Sequence, residues 1–253
     1  MLNLNTIYNK DCISGMKEIE DCSIDLIIAD PPFAIEFKSV RANYNRNDAL
    51  VIGSYREVQE KAYEDFTKNW IEESTRVLKE TGSIYIFSGY NHLREILNSL
   101  KENNLTLVNH IIWKYQFGLN CIKKYISSHY HILYCCKNDK KRKFNSFSRY
   151  KNSDKILGTN KNARYHDMED VWIINKENWT GKRKTATKLP GELIKKILSY
   201  SSDKGDLILD PFSGSGQVAW FCQEMGRNYI SFEISEEIFK FSQERIKSGL
   251  YII

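Results

Sequence analysis

Short apolar runs that stop at proline- or glycine-marked turns, each followed by residues at helical spacing, constrain this chain more than any other feature. Ile24–Ala29 (I-D-L-I-I-A) is apolar almost throughout and ends at Asp30-Pro31-Pro32, the pattern of a strand buried on both faces. Residues 57–80 place Val58, Ala62, Phe66, Trp70, Val77 and Leu78 at roughly helical intervals, Gly82 punctuates, and Ser83–Phe87 reads as the next strand. Leu93–Leu100 reads as a helix, Leu107–Trp113 and His131–Cys136 as strands, and Gly191–Tyr200 as a helix. Leu207–Leu209 and Asn228–Phe232 are strand-like, and a helix follows from Ser235. Strands separated by helices imply an α/β fold, a mostly parallel sheet with helices on both faces. Residues 138–168 show no clear period and read as an insertion into a single domain spanning 1–253.

With 253 residues, 42% hydrophobic and 27% charged, the chain can bury one large core, which excludes disordered, collagenous and disulfide-scaffold classes. No apolar run approaches the roughly 18 residues of a membrane span. Met1-Leu2-Asn3-Leu4-Asn5 lacks the basic and apolar pattern of a secretory signal, so a cytoplasmic location without membrane attachment is expected. The six cysteines (12, 22, 121, 135, 136 and 222) form no C-x-x-C pair and no zinc spacing with histidine. Free thiols and no metal are the reading.

Charge is local. Between Lys137 and Arg164 ten cations face only Asp139 and Asp154, a segment of +8 in a chain of +5, so the remainder carries −3. Phe144, Phe147, Tyr150 and Tyr165 are interleaved with it. Cations for phosphates beside rings that stack on bases suit a nucleic-acid surface; a solvated lysine-rich loop is the plainer reading of the same residues. Lys140, Lys141, Arg142, Lys143, Arg149 and Lys151 are the candidate nucleic-acid contacts.

Two motifs carry chemistry, and both follow a strand, where open α/β sheets bind ligands. In Asp30-Pro31-Pro32-Phe33 the prolines fix the backbone. The Asp30 carboxylate and Pro31 carbonyl are acceptors, and Phe33 is a stacking face, a combination suited to a planar group bearing an –NH₂. In Asp210-Pro211-Phe212-Ser213-Gly214-Ser215-Gly216 the glycines permit a tight turn and close approach to a ligand. No G-K-[ST] follows, so this is not a P-loop. Glu233, ending the next strand, is placed to accept from two ribose hydroxyls, which points to a nucleoside cofactor without a pyrophosphate.

On these residues the chain resembles the DNA amino-methyltransferases of the permuted β arrangement, the kind found in restriction-modification systems, and the resemblance runs nearly end to end. It implies a Rossmann-like S-adenosylmethionine-dependent methyltransferase fold with circularly permuted motif order. Asp30, Pro31, Pro32 and Phe33 match the catalytic D/N/S-P-P-Y/F/W motif. Asp210, Phe212, Ser213, Gly214, Ser215 and Gly216 match the F-x-G-x-G cofactor motif, and Glu233 its ribose acid. Asn9-Lys10-Asp11-Cys12 is similar to the G-D-C segment that reads the cofactor's adenine; Asp11 is also a helix N-cap before Ile13–Met16, and the two roles are compatible. Catalytic motif first and cofactor motif last is the β order, which makes 137–180 the target-recognition insert. The resemblance implies double-stranded DNA as substrate, with a homodimer and a cognate restriction endonuclease as further partners.

Several positions depart from the pattern. Tyr130 stands where an acid is usual after Ser128-His129, so no catalytic role is carried onto it, and His129 reads as a packed histidine. Lys184-Thr185-Ala186-Thr187-Lys188-Leu189-Pro190-Gly191-Glu192-Leu193 resembles H-P-T-Q-K-P-x-E-L at the cofactor's methionine end, with Thr185-Ala186 for His-Pro and Leu189 for the lysine. Either Lys188 supplies that charge one residue early, or the cofactor carboxylate relies on Thr187 and backbone N–H groups. Residues 34–60 read as a mobile loop closing over DNA and cofactor. D-P-P-F is nearer the adenine-N6 enzymes than the S-P-P-Y common among cytosine-N4 ones, so adenine N6 is the expected target, with cytosine N4 the alternative. An RNA or protein-glutamine methyltransferase usually has the opposite motif order. A non-catalytic DNA-binding subunit has no need of the intact motifs, and a dinucleotide oxidoreductase has no use for Asp30-Pro31-Pro32. No proline precedes a cysteine, as ring-carbon methylation of cytosine would require.

Overall fold

The computed structural model describes residues 2–33, 58–116, 122–146, 155–156, 164–165, 168–177, 188–249 and 251. Its strands are β1 (Thr6–Asn9), β2 (Ile24–Ala29), β3 (Leu78–Ser88), β4 (Thr106–Lys114), β5 (His129–Cys136), β6 (Lys155–Ile156), β7 (Arg164–Tyr165), β8 (Val171–Ile173), β9 (Leu207–Asp210) and β10 (Asn228–Glu233). The helices are α1 (Cys12–Met16), α2 (Tyr63–Val77), α3 (Leu93–Glu102), α4 (Gly191–Ser201), α5 (Gln217–Met225) and α6 (Glu236–Ser248). An eight-stranded sheet runs β1-β10-β9-β2-β3-β5-β4-β8, and β6 pairs β7 separately. From β1 to β3 every pairing is parallel. β5 runs antiparallel to both β3 and β4, and β8 parallel to β4.

Residues alternate between two helical layers, as the pleat requires. Ile27, Ala29, Ile84, Ile86, Leu133 and Leu209 meet Met16 of α1, Trp70 and Ile71 of α2, and Ile96 and Leu100 of α3. Leu26, Ile28, Phe87, Ile132 and Ile208 face Leu193, Ile194 and Ile197 of α4 and Val218, Ala219 and Phe221 of α5. Each such aliphatic side chain, fully removed from water, contributes about 1.5–3 kcal/mol. The crossover after β2 leads to β3, while that after β9 leads to β10 on the other side. Chain direction therefore diverges between β2 and β9, and a crevice opens at their carboxyl ends.

Three expectations are adjusted. The helix predicted over 57–80 is α2, ending at Val77; Leu78 opens β3 opposite Ile24. Gly82 lies within β3, where a Cβ would meet the Leu78 side chain and the Asp25 carbonyl. Val171–Ile173, counted in the insert, forms the edge strand of the main sheet. Residues 34–57 of the predicted loop lie outside the described residues. Among the described residues no helix is long and apolar enough to cross a membrane.

Gly15 of α1 sits against β10 so closely that a Cβ would lie 2.3 Å from the Phe232 ring. Gly15→Ala should therefore cost about 1–3 kcal/mol through overpacking, measured as a lowered urea midpoint with an unchanged m-value.

Candidate functional site

Three adjacent parallel strands each deliver an acid to the same edge: Glu233 ends β10, Asp210 ends β9, and Asp30 follows β2. Parallel neighbours lie roughly 4.8 Å apart, so the carboxylates share one crevice. They line a cavity of about 310 Å³ with Lys10, Asp11, Pro32, Phe212 to Ser215 and Lys188. Burial first, then the charges of Asp30 and Glu233, push Asp210 up to about 8 against a hydrogen bond from the Phe212 N–H. Burial likewise raises Glu233, although the N–H groups of Gly214 (2.9 Å) and Ser235 (2.8 Å) donate to its two oxygens. A ligand bringing ribose hydroxyls and a cationic centre fits such a wall: the hydroxyls donate to Glu233 and the positive charge offsets the crowded acids.

The loop after β9 is shaped for close approach. Ser213 N–H donates to the Phe232 carbonyl and Gly216 N–H to that of Ser213, both at 2.8 Å. Gly216 enters α5 with φ +76°, and a Cβ there would press on Ile7 and Ser242 at 3.2–3.3 Å. The Phe212 ring stands edge-on to buried Trp70 at 5.4 Å. Across the crevice, Asp11 caps α1, its Oδ1 accepting from the Ser14 N–H at 2.9 Å, while Asp11 and Cys12 also line the cavity. Both roles read for Asp11 are thus sterically compatible. Burial holds the Cys12 thiol protonated, its pKa raised by desolvation and then by Asp11.

A polar network behind the cavity was not legible in the sequence. Arg245 of α6, buried, donates to the Ser215 carbonyl (2.9 Å) and to Gln217 Oε1 (2.6 Å). Gln217 Nε2 reaches the Leu189 carbonyl and Tyr251 Oη, both at 2.9 Å. Lys188, its side chain 1% exposed, pairs with Glu177 at 2.7 Å, and Glu177 also accepts from the Gly191 N–H. Burial opposes ionisation of Glu177, but Lys188, Tyr251 and Gly191 together hold its carboxyl below the usual range. Lys188 therefore lines the cavity, as one of the two sequence readings has it, with its charge shared by Glu177. Thr187, the other candidate, lies outside the described residues.

Asp30 and Pro32 face this cavity, whereas Phe33 faces a second one of about 130 Å³, lined by Tyr63, Gly89, Tyr90, His92, Tyr115 and Tyr130 among others. Phe33 meets the Tyr130 ring at 5.7 Å, Tyr130 meets Trp113 and Tyr115, and Lys176 Nζ lies 4.0 Å from the Tyr115 ring centroid. The four-residue motif is the partition between the cavities. His129, predicted to be packed, is exposed at this second cavity beside His131, because it begins β5 where the sheet ends. His110 Nε2 and His131 Nδ1 lie 2.8 Å apart, and burial, then His110 and His129, lower the His131 pKa.

The basic residues after β5 go elsewhere. β5 runs from the crevice end, at His129, to the opposite end, at Cys136. There Lys143 binds Asp203 (2.9 Å) and Asp206, and its N–H donates to the Thr81 carbonyl. Arg142 holds Asp139 and Tyr134 Oη, both at 2.8 Å. Lys140 and Lys141 are exposed in the same turn. Strand direction thus carries Lys140, Lys141, Arg142 and Lys143, read from the sequence as candidate phosphate contacts, to the edge of the sheet opposite Asp30-Pro31-Pro32-Phe33. Arg149 and Lys151 lie outside the described residues, as does Cys121. The described cysteines are free, and no group of described residues could hold a metal ion.

The family model of the N6/N4 DNA methylases, described as DNA methylase, matches residues 24–244. The chain is 30% identical over 243 residues to the type II methyltransferase M.HpaI of Haemophilus parainfluenzae, covering 94% of this chain and 73% of that protein. It is 31% identical over 258 residues to the type II methyltransferase M.HinfI of Haemophilus influenzae, covering 96% and 68%. Its fold is similar to that of M1.HpyAVI in complex with SAM, at a TM-score of 0.65 and 21% identity, over 95% of this chain and 98% of that one.

Two outcomes follow from the buried charges. Asp210 has a folded-state value above its ordinary 3.8, so its protonation favours the folded state. That contribution is complete below about pH 4 and is lost as pH rises towards about 8. Thermal unfolding should show melting temperature falling across that window more steeply in the wild type than in Asp210→Asn. Arg245→Met should strand the Ser215 carbonyl and Gln217 amide at a cost of about 1–3 kcal/mol and weaken S-adenosylmethionine binding by calorimetry, with Arg245→Lys recovering part of both.

Proposed function

The chain belongs to the N6/N4 DNA methylase family, and we propose that it transfers a methyl group from S-adenosylmethionine to the exocyclic N6 of an adenine rotated out of duplex DNA. The observation that supports this reading is the partition: Asp30 and Pro32 face the acid-lined cavity, and Phe33 of the same motif faces the aromatic one. A methyl donor on one side and a flipped base on the other then meet across four residues of fixed backbone.

When bound, the cofactor supplies an electrophilic sulfonium methyl group. Glu233 would accept from its ribose hydroxyls, the loop of Phe212 to Gly216 would line its nucleoside, and Asp11 and Cys12 would flank its adenine. Lys188 would lie at the methionine end. In the second cavity Phe33 and Tyr130 would stack on the extruded base, offsetting the few kcal/mol that unstacking costs. Asp30 and the Pro31 carbonyl would accept the two amino hydrogens, drawing the nitrogen lone pair out of conjugation with the ring. The chain's work is positioning and exclusion of water. Among the candidate phosphate contacts of the insert, Arg149 and Lys151 remain part of this proposal.

Adenine is favoured by the form Asp30-Pro31-Pro32-Phe33. Cytosine N4 is the second reading, because the family spans both amino groups and a ring face alone cannot distinguish the bases. Incubation with labelled S-adenosylmethionine and unmethylated genomic DNA, followed by nucleoside analysis, should yield N6-methyladenine; N4-methylcytosine would reverse the choice of base. Asp30→Ala should lower kcat by about 10²–10³-fold, the scale of losing one preorganised hydrogen-bond partner to the reacting group.

A further inference from the structure

Tyr90 and Ser127 line the aromatic cavity, and the residues just before Ser127 carry side chains that the catalytic reading leaves unused. β4 ends and β5 begins beside this cavity, the chain between them closed by the Tyr115 N–H to Ser128 carbonyl bond of 3.0 Å. On this connection Ile122 and Tyr125 are each 98% exposed, and Tyr90, after β3 and on the cavity wall, is 76% exposed. Lys123 and Lys124 sit between the two and are exposed as well. The sequence holds no acidic residue between Glu102 and Asp139, so this stretch carries cations without an acid beside them in sequence. Large apolar groups held in water beside a concave site mark an interaction surface. Lysines flanking a ring suit phosphates and bases.

We infer that this rim, Tyr90 with Ile122 to Tyr125, is the surface that docks duplex DNA: Lys123 and Lys124 take backbone phosphates and Tyr125 fills the stack that the extruded base vacates. The inference rests on the methyltransferase reading of the site. It also supplies, at the catalytic edge, the cations that Lys140 to Lys143 cannot supply from the far edge. A base leaving the helix opens a gap next to the protein, and a ring at the gap restores the lost stacking at little conformational cost. A protein partner would match the apolar groups but would have to answer the lysines with acids of its own.

Fluorescence anisotropy with a labelled mixed-sequence duplex, titrated at several salt concentrations, tests this. The K123A/K124A double variant should reduce the slope of log affinity against log salt by about 2, one counterion per lost contact. Lys140→Ala with Lys141→Ala should leave the slope unchanged. Tyr125→Ala should raise the KM for DNA roughly tenfold while S-adenosylmethionine affinity, read by calorimetry, stays the same. All five substituted side chains are exposed, and the retained cofactor affinity reports an intact fold. An unchanged slope in K123A/K124A, from a wild type that methylates DNA, would overturn the docking surface and leave the enzyme reading standing. A change of oligomeric state in Tyr125→Ala with unaltered DNA KM would overturn it in favour of a self-interface. A wild type that binds cofactor and leaves DNA unmethylated would overturn the function and this inference together.

Discussion

Three carboxylates at the ends of three neighbouring parallel strands are the constraint around which the rest of the structure is arranged. Burial first, and then the neighbouring Asp30 and Glu233, oppose ionisation of Asp210 in this crevice. Each is held differently. Glu233 takes two backbone N–H groups, Asp210 takes one and is otherwise buried, and Asp30 is fixed by the two prolines that follow it. A cationic, ribose-bearing cofactor bound there would offset this concentration of acids.

The loops around the crevice keep their shape through contacts that lie far off in sequence. Arg245, near the end of the chain, holds the carbonyl of Ser215 and the side chain of Gln217, and Gln217 ties Leu189 and Tyr251 together. Lys188 reaches the cavity paired with Glu177, which offsets part of the cost of its burial. Removing either partner alone would leave a charge with inadequate compensation in low dielectric. The network couples the last helix to the loop of Phe212 to Gly216.

The two edges of the sheet have separate electrostatics. At the crevice edge the acids line the cavity of about 310 Å³, Phe33, Tyr115 and Tyr130 line the second one with Lys176 over the Tyr115 ring, and Lys123 and Lys124 are exposed. At the opposite edge Asp25 binds Lys79 through both oxygens at 2.8 Å and the Leu207 N–H at 3.0 Å, stitching β2, β3 and β9 together. Lys143 with Asp203 and Asp206 extends that seam. A run of lysines in the sequence thus contains structural cations, whose fate strand direction decides.

The sequence by itself determined the strand-and-turn rhythm, both motifs and the acids that end their strands, because each is written in contiguous residues: apolar run, acid, proline or glycine. Asp11 as a cap was equally local, being fixed by the Ser14 N–H three residues on. Only the tertiary structure decided that Asp30, Asp210 and Glu233 stand side by side, since that depends on strand order rather than chain order. It also set the end of α2 at Val77, where pairing of Leu78 with Ile24 overrides helical spacing. The exposure of His129 and the diversion of Arg142 and Lys143 to the far edge follow from the antiparallel run of β5, which no local pattern of charge or apolarity encodes. Contacts such as Arg245 with Ser215 span 30 residues, and side chains that meet only after folding leave no periodic signal.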